Sequence, residues 1–130
     1  MNEPRWISTE SAILMHSCQI EEFGGSDGLR DRGLLESAMA RPKNLFAYGE
    51  MVTMSQLAAA YCFGISRNHP FVDGNKRVAY VVARVFLQKN GFDITASYQE
   101  KLDTMLALAS GKMSDTALDE WFAQVTVPTR

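Results

Sequence analysis

The chain has 130 residues, 46% of them hydrophobic and 22% charged, with a formal net charge of −2. That is enough chain for one core and too little for two, so residues 1–130 are expected to form a single domain that stands without disulfide staples or a zinc cluster. The slightly negative balance excludes a protein that captures nucleic acid by bulk charge.

Residues 1–6 lack the apolar stretch of a signal peptide, and no apolar run approaches the roughly 20 residues needed to span a bilayer. Neither a membrane nor a nucleic acid is expected as a partner, and the expected compartment is the cytoplasm. Cys18 and Cys62 both lie in apolar stretches and read as buried thiols.

Helix signals recur along the whole chain. Ser8 can cap a helix whose apolar positions Ile13, Leu14 and Ile20 lead to Phe23 and stop at Gly24-Gly25. Residues 26–30 read as a loop. A second helix starts near Asp31 and should finish before Pro42, because proline removes a helical hydrogen bond and crowds the preceding turn. Residues 43–51 read as irregular, with Tyr48-Gly49 as a turn signal.

Thr53 and Gln56 have capping-box spacing and open a third helix running to about Arg67. A fourth runs from about Asn75 to Asn90, with Gly91 as terminator. Residues 92–96 read as a short extended link. Ser97 and Glu100 form a second capping-box pair, opening a helix that ends at Ser110-Gly111, and Ser114 caps a last helix through about Val125. Residues 57–65 are apolar except Gly64, and residues 78–87 are apolar except Arg84. Helices apolar on nearly all faces belong at the centre of a fold. The valines at 81, 82 and 85 also suit a buried strand, but the length of the segment and Gly91 favour helix. The expected architecture is an all-α bundle with two inner helices and amphipathic helices around them.

Between the inner helices lies the most polar nonapeptide near the core, His69-Pro70-Phe71-Val72-Asp73-Gly74-Asn75-Lys76-Arg77. Gly74 and Asn75 tolerate backbone conformations that aim successive N–H groups at one point. The helix that starts there adds free N–H donors and the positive end of its dipole, an anion cradle suited to phosphate. Lys76 and Arg77 add cations, and Arg77 can grip a phosphate with two N–H groups. Asp73 is a hard oxygen ligand of the kind Mg²⁺ uses together with substrate phosphates. His69 can take a proton near neutral pH. Base, metal ligand, cradle and cations together are the parts that phosphoryl or nucleotidyl transfer requires. Each also has a plainer reading: Asp73 as a helix cap, Pro70 as a helix stop, Phe71 as a core anchor, and the basic pair as a solvated first turn. The basic pair is badly placed for that last role, since cations are unfavourable at a helix N-terminus.

The nonapeptide resembles the signature of the Fic/Doc proteins, and most closely that of the death-on-curing toxins of bacterial toxin–antitoxin modules. Phe23-Gly24-Gly25, the run from Gly28 through Ala38, Arg41-Pro42, Phe86-Leu87 and Asn90-Gly91 extend the likeness over roughly residues 6–125. The resemblance implies a Fic-fold helical bundle with the signature loop before a central buried helix. It implies His69 as general base, Asp73 as Mg²⁺ ligand, Gly74, Asn75 and Lys76 as anion hole, and Arg77 on a nucleotide phosphate. Family members that transfer AMP usually carry a second glycine where this chain has Lys76. The resemblance therefore implies a kinase that moves the terminal phosphate of ATP to a serine or threonine of a target, implied to be elongation factor Tu, arresting translation. Nucleotidyl transfer and an inactive, antitoxin-binding homologue are the alternatives. No glutamate is followed by Gly or Asn, as the family's self-inhibitory helix would require, so a separate antitoxin partner is expected.

His16 is expected to be a partly buried structural histidine, and Arg84 to need a carboxylate or carbonyl partner. Arg30, Asp31 and Arg32 read equally as contacts to phosphate or the signature loop and as local ion pairs and caps. The methionines, among them Met15, Met39, Met54 and Met105, read as core filling. Phe46 and Tyr48 lie where a target-docking flap would sit and read equally as peptide-docking residues and as small core anchors.

Overall fold

The computed structural model describes residues 2–129 as a mostly helical fold. The order is α1 (Thr9–Phe23), α2 (Arg32–Tyr48), α3 (Met54–Asn68), α4 (Asn75–Lys89), β1 (Phe92–Ile94), α5 (Tyr98–Ala109), α6 (Asp115–Val125) and β2 (Thr126–Pro128). The expected caps hold: Ser8, Asp31 and Ser114 each accept an N–H from the first turn that follows. Thr53 with Gln56 and Ser97 with Glu100 form complete capping boxes.

α3 is the axis of the fold, packed against α2, α4 and α6. α4 is the second inner element, a helix and not a strand, buried through Val78, Val82, Phe86 and Leu87. The phenol of Tyr61 on α3 accepts the N–H of Ile7 at 3.0 Å, fastening the N-terminal segment, and its burial pushes its pKa up to about 12. Trp6 stacks on Phe86 and meets Phe46 edge-on, so Phe46 is a core anchor while Tyr48 is exposed.

Three expectations need correction. α2 does not stop before Pro42 and residues 43–51 are not irregular throughout: the helix continues to Tyr48, with Pro42 buried inside it. Pro42 cannot donate to Ala38, but α3 comes so close here that a Cβ on Gly64 would lie 3.2 Å from Ala38 Cα and 3.4 Å from its carbonyl oxygen. Close packing around a buried proline outweighs the local penalty. Residues 92–94 form more than a link, since β1 pairs antiparallel with β2, Asp93 opposite Val127. Cys62 is buried as expected, but Cys18 is exposed, because its apolar neighbours in sequence point to other faces of α1. Arg84 finds its carboxylate: Nε donates to Asp93 at 3.0 Å, which holds Asp93 at a pKa of about 2 and ties α4 to β1.

Candidate active site

The nonapeptide links the end of α3 to the start of α4, and both ends have left-handed backbone. His69 is the C-cap of α3 at φ 53, and Gly74 is the N-cap of α4 at φ 73. Phe71 is buried and anchors the turn between them. The segment after α1 runs alongside. Val72 N–H donates to Gly28 C=O at 3.0 Å, and the amides of Arg30 and Asp31 both donate to Pro70 C=O. The Arg30 side chain donates to the carbonyls of His69 (2.8 Å) and Asn68 (3.1 Å), placing a cation on the negative end of α3. Arg30 therefore serves the signature loop. Asp31 caps α2, and Arg32 pairs with Glu10 and Glu36.

His16 lies beneath the loop. It is more deeply buried than expected, its ring stacked on Phe71 at 3.9 Å between centroids and 6° between planes. Its Nε2 is 2.7 Å from the carbonyl oxygen of Asp73 and must donate to it, while Nδ1 faces Asp27 at 3.7 Å. His16 thus fixes the backbone that presents the Asp73 carboxylate. Asp73 is not the cap of α4. Its two oxygens instead accept the N–H of Ser26 (3.2 Å) and of Gly74 (2.8 Å). Those two bonds, with Arg77 and His16 nearby, hold the exposed carboxyl below the usual carboxylate range, so it is ionised at neutral pH.

His69, Asp73, Gly74, Asn75, Lys76 and Arg77 line one cleft of about 230 Å³, completed by Ser66, Val72 and Ala109. It is smaller than the roughly 300–1,000 Å³ of sites that enclose whole ligands, which suits the phosphate portion of a larger molecule. All six sequence-predicted site residues are brought together. The amides at the start of α4 precede the first helical bond, from Val78 N–H to Gly74 C=O, so the positive helix end opens on this cleft. Lys76 is exposed and free of ion pairs among the described residues. Arg77 is partly committed elsewhere: Nη1 donates to Gly24 C=O at 3.3 Å and Gln19 C=O at 3.5 Å, with Phe23 beneath it.

Sequence reasoning missed the support from residues 25–28. A Cβ on Gly25 would stand 2.7 Å from Asp73 Oδ2, so the carboxylate needs glycine there. The double glycine was legible as a helix stop, but nothing local tied it to Asp73.

Comparison with known proteins gives concordant matches. A family model described as Fic/DOC family matches residues 6–87. The chain is 34% identical over 110 residues to the protein kinase doc of Escherichia phage P1, covering 85% of this chain and 86% of that protein. It is 40% identical over 77 residues to the toxin Doc of Mycolicibacterium smegmatis, covering 58% of this chain and 59% of that one.

Proposed function

The chain belongs to the Fic/Doc family, and from that premise we propose that it is the toxin of a toxin–antitoxin module, a kinase that transfers the terminal phosphate of ATP to a serine or threonine hydroxyl of a protein. The observation that carries this reading is the single cleft in which an ionised Asp73, the open amides of α4, Lys76 and His69 face one another. The relatives' names, a protein kinase and a toxin, support the reaction class and the setting.

In this mechanism the amides of α4 and the Lys76 ammonium hold the phosphate oxygens, and Arg77 turns from the carbonyls of Gly24 and Gln19 to a second phosphate. His69 takes the proton of the acceptor hydroxyl as the new oxygen–phosphorus bond forms and the bond to the leaving diphosphate breaks. A magnesium ion fits the donors present: one ionised carboxylate, Asp73, with the remaining positions left to phosphates and water. Among the described residues no group of three or more His, Cys, Asp or Glu could hold a metal by itself. When bound, the ion would neutralise charge on the phosphate oxygens. The target is elongation factor Tu, reached in the cytoplasm, and a separate antitoxin restrains the chain. No helix among the described residues is long and apolar enough to cross a membrane.

The test is incubation of the purified chain with Mg-ATP and purified elongation factor Tu, followed by intact-mass and peptide analysis. A gain of one phosphate on a serine or threonine is expected. A gain of a whole nucleotide would replace the kinase with a nucleotidylyltransferase. Growth inhibition unchanged by His69→Ala would argue for a non-catalytic binding protein.

A further inference from the structure

Asn75 opens α4 and is only 4% exposed, so its side chain works inside the loop. Its Oδ1 accepts Phe71 N–H at 2.9 Å, and its Nδ2 donates to Phe71 C=O at 2.9 Å. These two bonds decide which end of the amide is oxygen. The reverse orientation would set N–H against N–H and oxygen against oxygen. So oriented, Nδ2 also lies 3.1 Å from Nδ1 of His69. An amide nitrogen offers no lone pair, so Nδ1 of His69 must be the acceptor and carry no hydrogen. In the neutral ring the hydrogen then sits on Nε2, which has no partner among the described residues, on an exposed side chain that lines the cleft.

We propose that the Asn75 side chain is a positioning residue that holds His69 in its Nε2–H tautomer, so that the resting loop offers the cleft a hydrogen-bond donor and not a base. The inference rests on the reading of His69 as the proton acceptor. To take a hydroxyl proton at Nε2, the ring must first carry its hydrogen on Nδ1. That hydrogen would face Nδ2 of Asn75, donor against donor. The base-competent state therefore moves one proton from Nε2 to Nδ1 through solvent, with no net gain or loss, and breaks the His69–Asn75 contact. Asn75 cannot turn over to follow, because both of its bonds to Phe71 would become repulsive. The partner that moves is the exposed imidazole. After transfer the ring is an imidazolium with a hydrogen on each nitrogen, and the acceptor oxygen carries the phosphate. The residue whose backbone opens the anion cradle thus also sets the protonation pattern of the base.

The tautomer can be read directly, because the chain has only two histidines. Isotopically labelled ring nitrogens are observed by long-range proton–nitrogen correlation in the full chain, without nucleotide, at a pH where both rings are neutral. The signals lost in His69→Gln identify that residue. The expected wild-type pattern is a protonated Nε2 and an unprotonated Nδ1. In Asn75→Asp one carboxylate oxygen keeps the Phe71 amide, while the other loses the bond to Phe71 C=O, turns away from that oxygen and accepts from Nδ1–H, so the pattern should reverse. A wild-type His69 with its hydrogen on Nδ1, or an even mixture of both forms, overturns the proposal. So does a folded Asn75→Asp that keeps the wild-type pattern. If that variant fails to fold, the wild-type spectrum alone decides. An expected spectrum from a chain that phosphorylates nothing would sink the kinase reading and leave this one standing.

Discussion

Gly25→Ala isolates the support of the Asp73 carboxylate. Gly25 has φ +113, and the added methyl would lie 2.7 Å from Asp73 Oδ2 and 3.1 Å from Ile20 Cδ1. A carbon–oxygen contact settles near about 3.3 Å, so the carboxylate must retreat by about 0.6 Å. Its bond to Ser26 N–H is already 3.2 Å long and gives way first. That bond is the leading cause of the lowered Asp73 pKa, which then moves back towards the ordinary range. Losing a partner that orients a metal ligand typically costs about 10–100-fold in affinity or activity. Backbone strain adds about 1–3 kcal/mol of instability. Gly24→Ala is the control: its φ of +86 brings comparable strain, but nothing lies within 4 Å of the new methyl. The assay is the initial rate of phosphate transfer across a Mg²⁺ titration, with denaturant unfolding of the same preparations. Both variants should lose stability through strain, Gly25→Ala the more because of its added contacts, while only Gly25→Ala should need about 10-fold or more extra Mg²⁺. Equal Mg²⁺ dependence in the two variants would refute the argument.

Tyr61→Phe leaves the buried Ile7 N–H without its acceptor and should cost about 1–3 kcal/mol, seen as a lower denaturation midpoint at unchanged slope. Asp93, held at about 2 by Arg84, Ile94 N–H and Gln88, has a folded pKa below its unfolded value of about 3.9. Its contribution is complete above about pH 4 and disappears as the pH falls through about 2, so an acid titration of Asp93→Asn should lack that part of the wild-type loss. Lys76→Ala removes an exposed side chain and should change stability by less than about 0.5 kcal/mol. Its KM for ATP should rise, which steady-state kinetics at saturating target will detect.

The helix starts were legible because their chemistry is local: a Ser, Thr or Asp side chain bonds an amide two or three residues on, as at Ser8, Asp31, Thr53, Ser97 and Ser114. The end of α2 was not, because the fate of a helix at Pro42 depends on Gly64, which is remote in sequence and lets α3 approach Ala38. β2 escaped notice for the same reason, since Thr126–Pro128 is extended through its pairing with Phe92–Ile94. The exposure of Cys18 is set by which face of α1 meets the core, and a mixed apolar neighbourhood does not reveal that. The catalytic candidates form one contiguous run and could be read directly. Their supports, His16 under Asp73, Gly25 beside its carboxylate and Arg30 on the loop carbonyls, come from 39 to 57 residues away for the bonds of Arg30 to His69 and His16 to Asp73. Only the folded chain joins them.

The central claim is that His69 and the start of α4 move a terminal phosphate. ATP labelled on either its γ- or its α-phosphorus, given with magnesium to the wild-type chain and to His69→Ala in the presence of elongation factor Tu, tests it most directly. Label should reach the protein from the γ-position alone, and only with the wild-type chain. Transfer from the α-position, or undiminished transfer by His69→Ala, would contradict the account.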